Sequence, residues 1–339
     1  MRWFPIFRRF RRLSDFFDRF STEDLAGVLA NVGLPPAAKI ELFATGQNAL
    51  VRRLVLSDGR SLVLRGYFVD RQKQNGFAHW YMSRHLAERG IRVPAVYFRQ
   101  VFPFPRGKAD VEVLIEEFVE GQVVTEAVRH DATVRHRVVE TLVQLHSDRS
   151  PCPGRPWLGS PSPDPMAEVL DKVPVRLDRI RKQLAEVTPQ EAERCLRWFR
   201  ERVARRPVPE SYELIHCDWN RENVLLTPNG EVVVLDLVTM AYGCFESDLV
   251  DVRWMFFDEG WWREFCEGYF EKEPSRRERF EQNAPLFLAS FLLIKAARQA
   301  SGAGKALERG DPALAETRRA KSRKFWKLLI ATMEGSPLG

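Results

Sequence analysis

LIHCDWNRENVLL, residues 214–226, sets a histidine, an aspartate, two asparagines and a glutamate directly against an apolar run. The run leads into TPNG, residues 227–230, and then into EVVVLD, residues 231–236. Two short apolar segments around a turn sequence predict a hairpin. Pairing outward from the turn sets Leu226 opposite Glu231 and Asn223 near Val234, so Asn223 and Asp236 emerge at one end. Asp218 lies in the loop entering that end. Two carboxylates and an amide near one point suit a hard cation such as Mg2+ together with phosphate oxygens, with one carboxylate spare to accept a proton.

Working towards the N-terminus, residues 39–65 alternate apolar and polar side chains around Asp58-Gly59, which predicts another hairpin. A helical stretch follows at 76–90, then strand patterns at 91–98 and 111–121. From about residue 121 onward the pattern is mostly helical. The fold class expected is therefore α+β, with a small antiparallel-sheet lobe over 21–118 and a larger, mostly helical lobe over 119–339. STEDLAGVLANVGLPP, residues 21–36, reads as a helix capped by Ser21, with Asp24 three residues on and a stop at Gly33 and Pro35.

The chain has 339 residues, 45% of them hydrophobic, enough for two domains or one two-lobed unit. A net charge of +6 fits nucleic acid, an anionic membrane or a phosphate-rich ligand, and charge alone does not choose among them. The five cysteines are widely spaced and form no Cys-x-x-Cys pair, which excludes a disulfide framework and a zinc ribbon and points to a reducing cytoplasm. No apolar run is long enough for a membrane span, and the N-terminus lacks the apolar core of a secretory signal, so export is not expected. Residues 1–20, at helical pitch, align Trp3, Ile6, Phe7, Phe10, Leu13, Phe17 and Phe20 on one face, with Arg8, Arg11, Arg12 and Arg19 on the other. Such a stripe suits peripheral contact with an anionic membrane, and equally a helix packed on the body of the protein.

The set His216-x-Asp218, Asn223 and Asp236 resembles the catalytic signature of the aminoglycoside phosphotransferase and choline kinase superfamily, relatives of the protein kinases. TGQNALVRRLVLSDGRSLVLR resembles that family's nucleotide-loop hairpin, LIEEFVEG its interlobe hinge, LVQLHS its helix before the acceptor region, and MAYGCFESDLVDVRW the segment after its metal-binding aspartate. The order and approximate spacing hold from about residue 40 to 255. The resemblance implies a two-lobed kinase-like fold, ATP and Mg2+ as cofactors, and phosphate transfer to the hydroxyl of a polar small molecule: an aminoglycoside, amino alcohol, sugar or lipid-linked sugar. It implies that Asp218 orients and deprotonates the acceptor, that Asn223 and Asp236 hold the metal, that His216 buttresses the loop and that Asp248 braces it.

On the nucleotide side the resemblance places Arg65 against the phosphates, Gly46, Gln47 and Asn48 in the phosphate loop, and the backbone near Glu117 and Val119 against adenine. The helical acid that normally steadies the phosphate-binding cation would fall at His79, which cannot serve as a carboxylate. His79, His85, His130 and His136 sit in charged helical surroundings and are expected at the surface, and Cys217 is expected as a small loop filler. The acceptor is expected to be chosen by residues 151–210 and 256–310, where Glu259, Glu264 and Glu267 are interleaved with Arg263, Lys272 and Arg276. A membrane-associated pseudokinase is the alternative. Protein kinase activity is weakened by the lack of an Asp-Phe-Gly motif, and nucleic-acid binding rests on charge alone and is not expected.

Overall fold

The computed structural model describes residues 22–45, 49–70, 74–102, 110–124, 131–220, 222–256 and 259–335. The amphipathic stretch 1–20, the Ser21 cap and the loop residues Gly46, Gln47 and Asn48 lie outside these. The chain divides into two compact units, Met1–Thr141 with Arg221–Met240, and Leu142–Asn220 with Ala241–Gly339. The fold is α+β, an antiparallel sheet towards the N-terminus and a mostly helical remainder, as the sequence pattern predicts.

The first unit opens with helix α1, Thr22–Asn31. Strands β1, Ala37–Thr45, β2, Leu50–Leu56, and β3, Ser61–Phe68, follow. Helix α2 spans Asn75–Ala87, strand β4 Val96–Phe102 and strand β5 Val111–Glu117. These strands form one antiparallel sheet in the order β1-β2-β3-β5-β4. The β2–β3 hairpin closes at Asp58-Gly59, where Leu56 N donates to Arg60 O at 2.8 Å. Leu25 and Leu29 of α1 pack with Leu54, Leu56, Leu62, Leu64, Val113 and Ile115 on one face of the sheet. Each fully buried leucine contributes about 1.5–3 kcal/mol, an upper figure because unfolded chains already hide part of that surface. The other face carries Val51, Val63, Tyr67 and Leu114. Because β5 is buried on both faces, its residues run apolar without alternation except at Glu112 and at Glu116 and Glu117, which end the strand.

Helix α2 starts without a side-chain cap at Gln74. Its first-turn amides at Gly76 and Phe77 instead donate to the Glu112 carboxylate of β5, an anion at the positive end of the helix. A side chain at position 76 would run into that carboxylate, so glycine is what permits the approach. Glu112 also takes Arg99 Nε at 2.5 Å. This contact sets α2 against the sheet and brings its inner row of His79, Met82, Ser83 and Leu86 into the interior. His79 is thus buried, 1% exposed, contrary to the surface position expected from its charged neighbours. Residues 79, 82, 83 and 86 follow helical spacing, and burial follows the face. His136 is exposed as expected.

Strands β6, Gln122–Val123, β9, Val224–Leu226, and β10, Val232–Val234, form a second sheet in the order β10-β9-β6. Leu226 pairs with Val232 and Val224 with Val234, one residue away from the expected register. The loop explains the slip: Thr227 N donates to Glu231 O, and Glu231 N returns a bond to Thr227 Oγ1, so 227–231 close as a unit around the turn. Asn223 and Asp236 still share one end, with Leu235 N donating to Asn223 O at 2.9 Å.

In the second unit, β7, Arg149–Ser150, β8, Tyr212–Ile215, and β11, Ala241–Gly243, form a sheet in the order β11-β8-β7. Helix α3, Ala132–Ser147, ends just before β7. Helices α4, Pro165–Arg181, and α5, Pro189–Arg205, lie between β7 and β8 in the chain. Asp164 caps α4 by accepting from Met166 N and Ala167 N, and Thr188 with Glu191 forms a capping box on α5. Helices α6, Glu246–Phe256, α7, Glu259–Lys272, α8, Arg277–Glu308, and α9, Pro312–Met333, complete the chain as described. Leu292, Leu293, Ala296 and Ala300 of α8 share a core with Val173 and Ile180 of α4, Phe199 of α5, and Trp326 and Leu329 of α9. Among the described residues no helix is long and apolar enough to cross a membrane.

Candidate active site

Strand β8 runs directly into His216, Cys217 and Asp218. Cys217 adopts φ 64°, a left-handed turn that few side chains accept without compensation. The compensation comes from α6, whose Asp248 accepts His216 N at 2.7 Å and Cys217 N at 3.0 Å. Asp248 is 0% exposed, so both amides are satisfied by a charged acceptor shielded from water. Cys217 itself is exposed rather than packed inside the loop. His216 is buried and meets the Trp219 ring edge-on at 5.6 Å, which fixes the loop on its far side.

A polar chain stands behind Asp248. His146 Nε2 lies 3.3 Å from Asp248 Oδ2, and His146 Nδ1 lies 2.8 Å from the Tyr269 hydroxyl. Arg276 donates to that hydroxyl at 2.8 Å and to His146 O at 2.7 Å. A carboxylate only accepts, so His146 donates to Asp248 from Nε2. Asp251, one turn after Asp248, accepts the Trp219 amide. Its carboxyl is pushed well above the usual range, first by burial and then by the charges of Asp248 and Asp218, against the pull of Lys295. The sequence pattern carries no sign of this network beyond the histidine of LVQLHS.

In the first unit, Arg65 of β3 and Glu116 of β5 stand on one face of the sheet. Arg65 Nε and Nη2 donate to Glu116 Oε1 at 3.0 and 2.7 Å, and His79 Nε2 lies 2.5 Å from Glu116 Oε2. Arg65 therefore has an acidic partner on β5, although position 79 of the helix is a histidine. Burial alone would raise the Glu116 carboxyl, but Arg65 and His79 together hold it down to about 2. Burial works to lower the Arg65 pKa, but the charge of Glu116 raises it, with a smaller contribution from Asp236.

Asp236 lies at φ 55°, ψ 58°, left-handed and without a glycine. It follows β10, and Asn223 precedes β9, so the hairpin carries an amide and a carboxylate on adjacent strand ends. Among the described residues no group of three or more His, Cys, Asp or Glu could hold a metal by itself. An amide oxygen and a carboxylate, both hard donors, leave the remaining positions of a divalent ion for water and phosphate, the pattern that suits Mg2+. Glu117 turns away from Glu116 and pairs with Arg92, while also accepting Ala95 N at 3.2 Å. Val119 is half-buried in the irregular stretch after β5. On α7, Glu264 and Glu267 are exposed, while Trp261, Phe265 and Tyr269 are buried.

The profile of the phosphotransferase enzyme family matches residues 39–280. No curated protein sequence matches the chain. Among solved structures, a ligand-free thermostable mutant of the aminoglycoside phosphotransferase APH(4)-Ia superimposes with a TM-score of 0.60 at 15% identity, covering 92% of this chain and 99% of its own. A Haemophilus somnus protein assigned as a fructosamine-3-kinase gives 0.60 at 14%, covering 89% and 96%. An amicoumacin kinase in complex with AMP-PNP, Ca2+ and Ami gives 0.60 at 14%, covering 96% of both chains. These likenesses carry the kinase-like fold, and the family match, across well over half of its length, shows that the chain belongs to the phosphotransferase enzyme family.

Proposed function

We propose that the protein is an ATP- and Mg2+-dependent phosphotransferase that moves the γ-phosphate to a hydroxyl of a polar small molecule. Asp218 takes the hydroxyl proton as the acceptor oxygen bonds phosphorus and the bond to the β-γ bridging oxygen breaks. Asn223 and Asp236 hold Mg2+, which when bound offsets the charge of the phosphates. Arg65 donates to the same phosphates, and the backbone near Glu117 and Val119 receives adenine.

The observation that carries this reading is the double acceptance by Asp248 of the His216 and Cys217 amides, which fixes the backbone entering Asp218. Preorganisation of this kind is what proton abstraction requires, since small displacements of a base cost large factors in rate. The pseudokinase alternative loses its main support, because Arg65 has an acidic partner after all.

Mg2+-dependent ATP consumption is measured against aminoglycosides, amino alcohols, sugars and glycolipid extracts, with Asp218→Asn beside the wild type. Turnover with one acceptor class, reduced at least about a hundredfold in the variant, supports the proposal. Mg2+-dependent nucleotide binding with no phosphate transfer to any acceptor refutes it.

A further inference from the structure

We propose that Glu116, braced by His79, is a positioning residue that holds the Arg65 guanidinium for the nucleotide phosphates, a carboxylate supplied by the sheet in place of one from the helix. The inference rests on Arg65 being the phosphate-binding cation of the proposed function.

Three features of the first unit carry it. Strands β3 and β5 are neighbours in register, Val63 opposite Glu116 and Arg65 opposite Leu114, so the ion pair is fixed diagonally across adjacent strands. A pair within one sheet does not open when a helix shifts. Second, both carboxylate oxygens are engaged, Oε1 by Arg65 and Oε2 by His79, and Glu116 and His79 are each 1% exposed. Third, the Arg65 side chain keeps 18% of its surface, while the Glu116 and His79 side chains that brace it are buried, and besides Glu116 it meets the Tyr67 hydroxyl. The exposed part of the guanidinium is what phosphate would meet, and it is close enough to Asp236 to feel its charge.

A purely structural role explains these features poorly. A buried ion pair gains little stability over an apolar pair of similar size. This one is also desolvated on the acid side and partly exposed on the cation side, an asymmetry that serves a ligand of the cation. Holding the guanidinium removes the rotamer freedom that arginine would otherwise lose on binding.

The test is the affinity of Mg2+–AMP-PNP by titration calorimetry without acceptor, with thermal midpoints recorded in parallel. Glu116→Gln is expected to weaken binding about tenfold or more. In an Arg65→Met background the same change is expected to do less than about twofold further harm, because there is no cation left to position. Returning the acid to the helix, as Glu116→Gln with His79→Glu, is expected to recover affinity to within about threefold of wild type.

Unchanged affinity in Glu116→Gln, equal weakening in both backgrounds, or no recovery in the double variant would each overturn the inference. Should Glu116→Gln not fold, His79→Ala carries the same comparison, since it removes only the brace. An affinity about threefold weaker supports the proposal and an unchanged one refutes it. A wild type that binds no nucleotide refutes the proposed function and this inference together, whereas nucleotide binding that Glu116 does not influence refutes this inference alone.

Discussion

Replacing Asp248 by asparagine keeps the shape of the side chain and removes one acceptor and the charge. In the native protein Oδ2 accepts His216 N at 2.7 Å and His146 Nε2 at 3.3 Å, and Oδ1 accepts Cys217 N at 3.0 Å. An asparagine oxygen in the Oδ2 position keeps the first two bonds, now to a neutral acceptor, while its NH2 faces the Cys217 amide, donor against donor. One charge-assisted bond lost and one buried N–H left unsatisfied come to about 2–4 kcal/mol. Asp248 is fully buried, so water does not easily replace the lost partner. The urea midpoint of Asp248→Asn, converted to free energy at constant slope, is expected to fall by that amount. The displaced Cys217 turn carries Asp218 with it, and a shift of about 1 Å lowers kcat about a hundredfold while leaving the nucleotide dissociation constant within about twofold. A variant within about 0.5 kcal/mol of wild type that also retains its kcat would refute the claim that Asp248 holds this loop.

Acidification tests the Glu116 pair. Its carboxyl is held at about 2 in the folded protein against an ordinary 4.5, so it contributes stability that is fully present above pH 4.5 and is lost as pH falls towards 2. The difference in unfolding free energy between wild type and Glu116→Gln is expected to shrink steadily from pH 5 to pH 3, and a difference that stays flat contradicts the pairing. Gly121→Ala introduces a Cβ 2.8 Å from Leu226 O, a backbone atom that cannot swing aside, and is expected to destabilise by about 1–3 kcal/mol; an unchanged thermal midpoint would show that the β6–β9 contact yields. Deleting residues 1–20 separates the two readings of that stretch: loss of sedimentation with anionic vesicles supports membrane contact, and unchanged sedimentation rules it out.

The elements legible in the sequence were those written by local chemistry. Asp58-Gly59 and TPNG each announced a turn, and the helical face of α2 could be counted from Met82, Ser83 and Leu86. Counting that face back by one turn reaches His79, a signal that charged neighbours obscured. The β9–β10 register was missed by one residue because Thr227 bonds across to Glu231 through its side chain as well as its backbone, and a turn sequence does not declare which pair closes it. Glu116 was legible as a polar residue ending an apolar strand, but its partner was not. Facing Arg65 depends on β3 lying beside β5, a pairing of residues 51 positions apart that no local pattern encodes. The same holds for Tyr269 and Arg276, which meet His146 across 123 and 130 positions.

The left-handed backbone at Asp236 sets stability against charge at one position. Glycine carries no penalty at φ 55°, and asparagine enters this region more readily than most residues. A variant library screened only for resistance to heat would therefore enrich glycine and asparagine at 236, shedding the carboxylate in the process. Thermostabilised forms of this protein should be chosen by screening turnover and melting together, or by leaving that codon fixed.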